Sequence, residues 1–119
     1  MTSVLIVDRD EAIRGAFAQF FAGTGVQVVC AGSFDEVSVK ARGQMDLIFA
    51  DDLEESLTPE RSAELRTRNF STLAPIVCMG KARMSAEALR SLGYAGLLAK
   101  PFKGAQVKEM LAKWLPMAA

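Results

Sequence analysis

Short apolar runs alternate along this chain with amphipathic stretches, the pattern of βα units built on a parallel sheet. The runs predict strands at about Ser3–Val7, Val26–Ala31, Asp46–Ala50, Pro75–Met79 and Gly96–Ala99. After the first of them, Ile13, Ala16, Phe17, Phe20 and Phe21 recur at helical spacing until Gly23, where a residue that tolerates positive φ stops the helix. A second helix opens at Ser33 with Glu36 three residues on, a capping box, and ends at Gly43. The acidic loop Asp51-Asp52-Leu53-Glu54-Glu55-Ser56-Leu57 leads to a third helix, with Thr58 as N-cap and Pro59 at its first position. A short fourth helix runs from about Ser85 to near Gly93. The fifth begins near Gly104 and presents Val107, Met110, Leu111 and Trp114 towards the sheet. Right-handed crossovers restrict five such units to a doubly wound parallel sheet, for which 2-1-3-4-5 is a common strand order.

Composition narrows the class without naming it. At 119 residues the chain fits one domain, 1–119, in which only the tail 116–119 reads as loose. Fourteen basic residues against fourteen acidic ones give no electrostatic case for nucleic acid or a membrane surface. No DNA-binding motif is present, so any transcriptional output needs another domain. No charged-then-apolar leader and no apolar stretch of membrane-spanning length are seen, and a cytoplasmic location is expected. Cys30 and Cys78 lie in apolar stretches and read as buried, reduced thiols. The chain has no histidine, which removes the commonest general base and metal ligand.

Three of the strands end in charge: Val4-Leu5-Ile6-Val7 in Asp8, Leu47-Ile48-Phe49-Ala50 in Asp51, and Leu97-Leu98-Ala99 in Lys100 before Pro101. The carboxyl ends of parallel strands form the crevice where open α/β sheets bind and react, so two carboxylates and an ammonium converge there. Neighbouring carboxylates suit a hard cation such as Mg²⁺. A carboxylate is also a nucleophile towards a phosphoryl group, whose charge a metal and an ammonium would neutralise.

Over nearly its whole length the chain resembles the receiver domain of bacterial two-component response regulators, with the flavodoxin-like single-domain α/β fold. The resemblance implies that Asp51 is the phosphoacceptor position, that Asp8 and Asp51 form the acidic pocket, and that Lys100 contacts the phosphoryl group. It also implies a cis Lys100–Pro101 bond. Partners would be signalling proteins: a histidine kinase, a phosphotransfer protein or a downstream effector. The surface of the fourth helix, fifth strand and fifth helix would dock them, with Ala86, Leu89, Arg90, Lys103, Gln106 and Lys108 as candidates. Dimerisation stays open.

The chain also departs from that pattern. Arg9 stands where the family carries the second acid of its metal-binding pair, so Asp8, Asp51, Arg9 and Lys100 sum to about zero charge. Losing a ligand and gaining a guanidinium both weaken Mg²⁺, and no other cofactor is expected. Arg9 either pairs with Asp51 in place of the metal or points into solvent. Gly80 stands at the switch hydroxyl position and Leu97 at the switch aromatic, while Tyr94 is out of register and reads as a partly buried packing residue. Asp52, Glu54 and Glu55 after Asp51 read as a solvated face, with Asp52 or Asp10 as a substitute metal ligand the lesser alternative.

The expectation is therefore a non-enzymatic pseudo-receiver, an interaction module independent of phosphorylation. The alternative is a response regulator phosphorylated on Asp51 with altered metal use and readout. A remote third reading takes Val4–Asp10 as a DxD phosphatase motif, with Asp8 as nucleophile and Asp10 as acid/base.

Overall fold

The computed structural model describes residues 2–33, 36, 45–51, 60, 63, 74–80 and 85–114. Its elements are β1 (Ser3–Val7), α1 (Glu11–Phe20), β2 (Gln27–Ala31), β3 (Leu47–Asp51), β4 (Ile76–Gly80), α2 (Ala86–Ser91), β5 (Gly96–Ala99) and α3 (Gly104–Trp114). Thus α2 and α3 are the fourth and fifth helices of the sequence pattern. Gly43, the acidic loop from Asp52 to Leu57, Thr58, Pro59, Lys81 and the tail 116–119 lie outside the described residues, as do the ends of the second and third expected helices. Glu36 does lie within them, and its Oε2 accepts the Gly32 N–H at 2.6 Å.

The five strands form one parallel sheet in the order β2-β1-β3-β4-β5, as the pattern predicted. β1 lies between β2 and the central strand β3, with Val4 beside Val28 on one flank and Leu47 on the other. Every residue of β1, β3 and β4 is buried, which explains why these strands read as unbroken apolar runs rather than as alternation. β2, at the sheet's edge, is only half-buried over most of its length.

Successive side chains leave opposite faces of the strands and build two cores. On one face Leu5, Val7, Ile48, Ile76 and Cys78 pack with Leu89 and Tyr94. On the other, Val4, Ile6, Leu47, Phe49, Val77 and Met79 pack with Phe17 and Phe21 of the α1 region and with Val107 and Leu111 of α3. The Phe17 ring lies 4.9 Å from that of Phe49 and 5.4 Å from that of Phe102, which joins α1 to the sheet and to the segment after β5.

Several expectations need correction. Ala16 is exposed, because the buried stripe of α1 is narrow: Phe17 and Phe21 are its centre, Ile13 and Phe20 its half-buried flanks. Leu89 is only 4% exposed and belongs to the core, so it is no surface candidate. Tyr94, expected to be partly buried, is fully buried, while Cys30, expected to be buried, is only half so. β3 and β4 each run one residue past the apolar run, because the ladder continues through the pair Asp51–Met79 and beyond it to Gly80. Among the described residues no helix is long and apolar enough to cross a membrane.

Candidate functional site

The strand order sets β1 beside β3, which brings Asp8 and Asp51 together at the carboxyl edge. Asp8 follows β1 directly and is still tied to the sheet, its N–H donating to Ala31 O at 3.1 Å. Asp51 is the last residue of β3. Both are buried, at 1% and 7% exposure. Lys100 arrives from β5, where its N–H donates to Gly80 O at 3.0 Å, and the Lys100–Pro101 bond is cis, as the resemblance implied.

Two buried carboxylates are tolerated only where donors and cations satisfy them. Asp8 Oδ1 accepts the Asp10 N–H at 2.8 Å, and Oδ2 accepts from Lys100 Nζ at 2.7 Å. The same ammonium stands 3.6 Å from Asp51 Oδ1. Arg9 Nε donates to Asp51 Oδ2 at 3.4 Å while its side chain stays 53% exposed. Arg9 thus reaches Asp51 from the rim of the pocket while more than half of its side chain stays in solvent. Burial pulls the Lys100 pKa down, but the hydrogen bond and field of Asp8, helped by Asp51, exceed that effect and hold it above the ordinary 10.5.

The pocket as built is charge-balanced by its own side chains. Mg²⁺ favours carboxylate and water oxygens in octahedral geometry. Here one carboxylate is taken by a peptide N–H and an ammonium, and the other faces an ammonium and a guanidinium. Among the described residues no three His, Cys, Asp or Glu side chains converge as a metal site. Mg²⁺ would have to compete with Lys100 and Arg9 for Asp8 and Asp51. Asp52 lies outside the described residues, and Asp10 is engaged elsewhere: its Oδ1 accepts the Ala12 N–H at 2.9 Å and caps α1.

Other candidates separate by position. Gly80 brings only backbone to the site, and Leu97 is half-buried against the same core face as Tyr94. Ala86, Arg90, Lys103, Gln106 and Lys108 are exposed on α2 and α3 and the turn before α3. Gln106 Oε1 also accepts the Lys103 N–H at 2.7 Å, which closes the start of α3. Sequence reading missed Arg14, whose Nη1 donates to the carbonyls of Asp8 at 2.7 Å and Arg9 at 3.3 Å. Its acceptors are backbone oxygens, which no residue type marks.

The same fold recurs in solved structures. The chemotaxis protein CheY4 of Vibrio cholerae superposes with a TM-score of 0.80 at 24% identity, over 97% of this chain and 99% of that one. The fold is that of the response-regulator receivers. A second structure of CheY4 gives a TM-score of 0.76 at 26% identity, over 97% and 99% of the two chains. The receiver domain of a Pseudomonas aeruginosa sensor histidine kinase, described with a magnesium ion in its active-site cleft, gives 0.75 at 20%, over 97% and 98%. No family model matches this chain, and no curated protein sequence does. Receiver likeness therefore rests on the fold.

Proposed function

We propose that this chain is a receiver-type signalling domain of a two-component or phosphorelay system that works mainly as a phosphorylation-independent protein-interaction module in the cytoplasm, and is not an enzyme. One observation carries this reading: Asp51, the phosphoacceptor position, already faces the Arg9 guanidinium at 3.4 Å and the Lys100 ammonium at 3.6 Å. Arg9 acts as a tethered counter-ion where the receiver pattern has a metal acid, and it holds the pocket in one charge state. Gly80 and Leu97 fit the same reading, because neither carries a polar group that could follow a phosphoryl group. The partners are signalling proteins such as a histidine kinase, a phosphotransfer protein or a downstream effector. The exposed residues Ala86, Arg90, Lys103, Gln106 and Lys108 form the docking face on this reading. The DxD phosphatase reading loses ground, because Asp8 is 1% exposed and Asp10 is a helix cap.

The test is titration of the wild type, Arg9→Asp and Asp51→Asn with Mg²⁺ and then beryllofluoride, followed by NMR shifts. The wild type should respond to neither ligand, and Arg9→Asp should gain Mg²⁺ binding. Binding of both ligands by the wild type, lost in Asp51→Asn, would make this a response regulator phosphorylated on Asp51 and would sink the proposal.

A further inference from the structure

Arg9 acts as a counter-ion only if its backbone aims it at Asp51, and that aim has an identifiable source. We propose that Arg14 is the positioning residue of the pocket, pinning both peptide planes that flank Arg9, and that Gly32 supplies the space for its guanidinium. The inference rests on reading Arg9 as the counter-ion of Asp51.

Three successive carbonyls end on this one residue. Arg14 Nη1 donates to Asp8 O at 2.7 Å and to Arg9 O at 3.3 Å, and the Arg14 N–H donates to Asp10 O at 3.2 Å. The Asp8 and Arg9 carbonyls belong to the peptide planes on either side of the Arg9 Cα. Because each peptide is planar, fixing both planes fixes φ and ψ of Arg9, and with them the direction of its Cβ. The Asp8 N–H bond to Ala31 O anchors the turn on the sheet side, and the Asp10 cap anchors it on the helix side. A guanidinium suits this task because its nitrogens are rigidly placed, whereas a lysine ammonium would sit on a freely rotating stem.

The guanidinium lies against Gly32, the first residue after β2. A Cβ added to Gly32 would stand 3.0 Å from Arg14 Nη1, 3.5 Å from Arg14 Cζ and 2.8 Å from Glu36 Oε2. The missing side chain is thus the room in which Arg14 reaches back to the Asp8–Asp10 turn. Glu36 Oε2 occupies the other side of that room, held by the Gly32 N–H at 2.6 Å. A methyl group at position 32 would force Glu36 Oε2 aside and press directly on the Arg14 guanidinium.

A double-mutant cycle tests this, using Arg9→Ala, Arg14→Ala and the pair, with Arg14→Lys and Gly32→Ala beside them. The readouts are solvent exchange of the Arg9 Nε–H by NMR and the dissociation constant for Mg²⁺ alone, with urea unfolding as a control for folding. Arg14→Ala should speed exchange of the Arg9 Nε–H by about tenfold, the scale of one lost charge-assisted hydrogen bond. Its Mg²⁺ affinity should move towards that of Arg9→Ala, and adding Arg14→Ala to Arg9→Ala should change it no further. Arg14→Lys should fall between Arg14→Ala and the wild type, and Gly32→Ala should act in the same direction as Arg14→Ala. A purely structural Arg14 would shift Mg²⁺ affinity equally in both backgrounds and leave the Nε–H as protected as in the wild type. That result would overturn the proposal. If Arg14→Ala does not fold, Gly32→Ala carries the same two readouts. Unchanged Mg²⁺ affinity in Arg9→Ala would instead refute the counter-ion reading, and Nε–H exchange alone would then decide the positioning role.

Discussion

Replacing Lys100 with methionine removes the ammonium of the pocket while keeping most of its side-chain volume. The magnitude follows from the geometry. At an effective dielectric of about 20, unit charges 2.7 Å apart attract by about 6 kcal/mol, and a second carboxylate at 3.6 Å adds to this. Desolvation of both ions offsets much of that attraction, so the native pair is worth far less than the gross figure. Lys100→Met, however, leaves Asp8 charged at 1% exposure with the Asp10 N–H still donating to it. Breaking one side of a buried pair typically costs 3–5 kcal/mol, and the lower end, about 3 kcal/mol, applies because the Lys100 side chain is 22% exposed. Urea unfolding at neutral pH, followed by circular dichroism, measures this directly. The companion Asp8→Asn/Lys100→Met should cost at least about 1 kcal/mol less than the sum of the two single changes, because it leaves no unmatched buried charge. Additive single changes, or a Lys100→Met cost below about 0.5 kcal/mol, the scale of an unremarkable surface substitution, would refute the reasoning.

The same ammonium sets a pH dependence. The Lys100 pKa is higher in the folded chain than its ordinary 10.5, so its contribution is complete below that value and is lost as pH rises through the folded pKa. Urea midpoints taken into the alkaline range should fall more steeply for the wild type than for Lys100→Met, and parallel curves would contradict the shift. Leu89→Ala should cost about 2–4 kcal/mol in urea unfolding, as a large-to-small change at a 4% exposed core position, whereas exposed Arg90→Ala on the same helix should stay within about 0.5 kcal/mol. Equal effects at the two positions would return Leu89 to the surface. Asp10→Ala should lose about 1 kcal/mol of stability through the missing cap of α1. Placed in the Arg9→Asp protein it should leave Mg²⁺ affinity unchanged, and a clear loss of affinity would identify Asp10 as a ligand after all.

The architecture was legible because each central strand is buried on both faces and so spells itself as an apolar run between turn residues. β5 and the start of α3 fall where the pattern put them, at Gly96–Ala99 and Gly104. Boundaries slipped where polarity and hydrogen bonding part company: Asp51 is charged and still belongs to the β3 ladder opposite Met79. Leu89 was misplaced for a different reason. Α six-residue helix is too short for periodicity to show its buried side, and its face was assigned by resemblance. Ala16 shows the converse, since correct helical spacing says which residues share a side but not how wide the buried stripe is.

The site divides along a similar line. Asp8, Asp51 and Lys100 were legible as single charges closing apolar strands, since position along the sequence fixes position at the sheet edge. Whether Arg9 turns inward was not, because an arginine at the rim can choose between a carboxylate and water at little cost in free energy. Its backbone decides the matter, and the residue that holds this backbone, Arg14, donates to carbonyls that carry no sequence signal. That division has a physical consequence. Two carboxylates at 1% and 7% exposure require positive charge nearby, and this chain supplies it from covalently attached groups. A tethered guanidinium competes with any dissolved cation at a high effective concentration, so on the proposed reading Arg9 would act on Mg²⁺ as a competitor as well as by replacing a ligand. The two cations differ in how firmly they are held. Arg9, 53% exposed and paired at 3.4 Å, is the one that salt screens, whereas Lys100 is sheltered and bonded at 2.7 Å. Rising ionic strength should therefore loosen the rim of the pocket first and leave the Asp8–Lys100 pair intact, so that any opening of this site begins at Arg9.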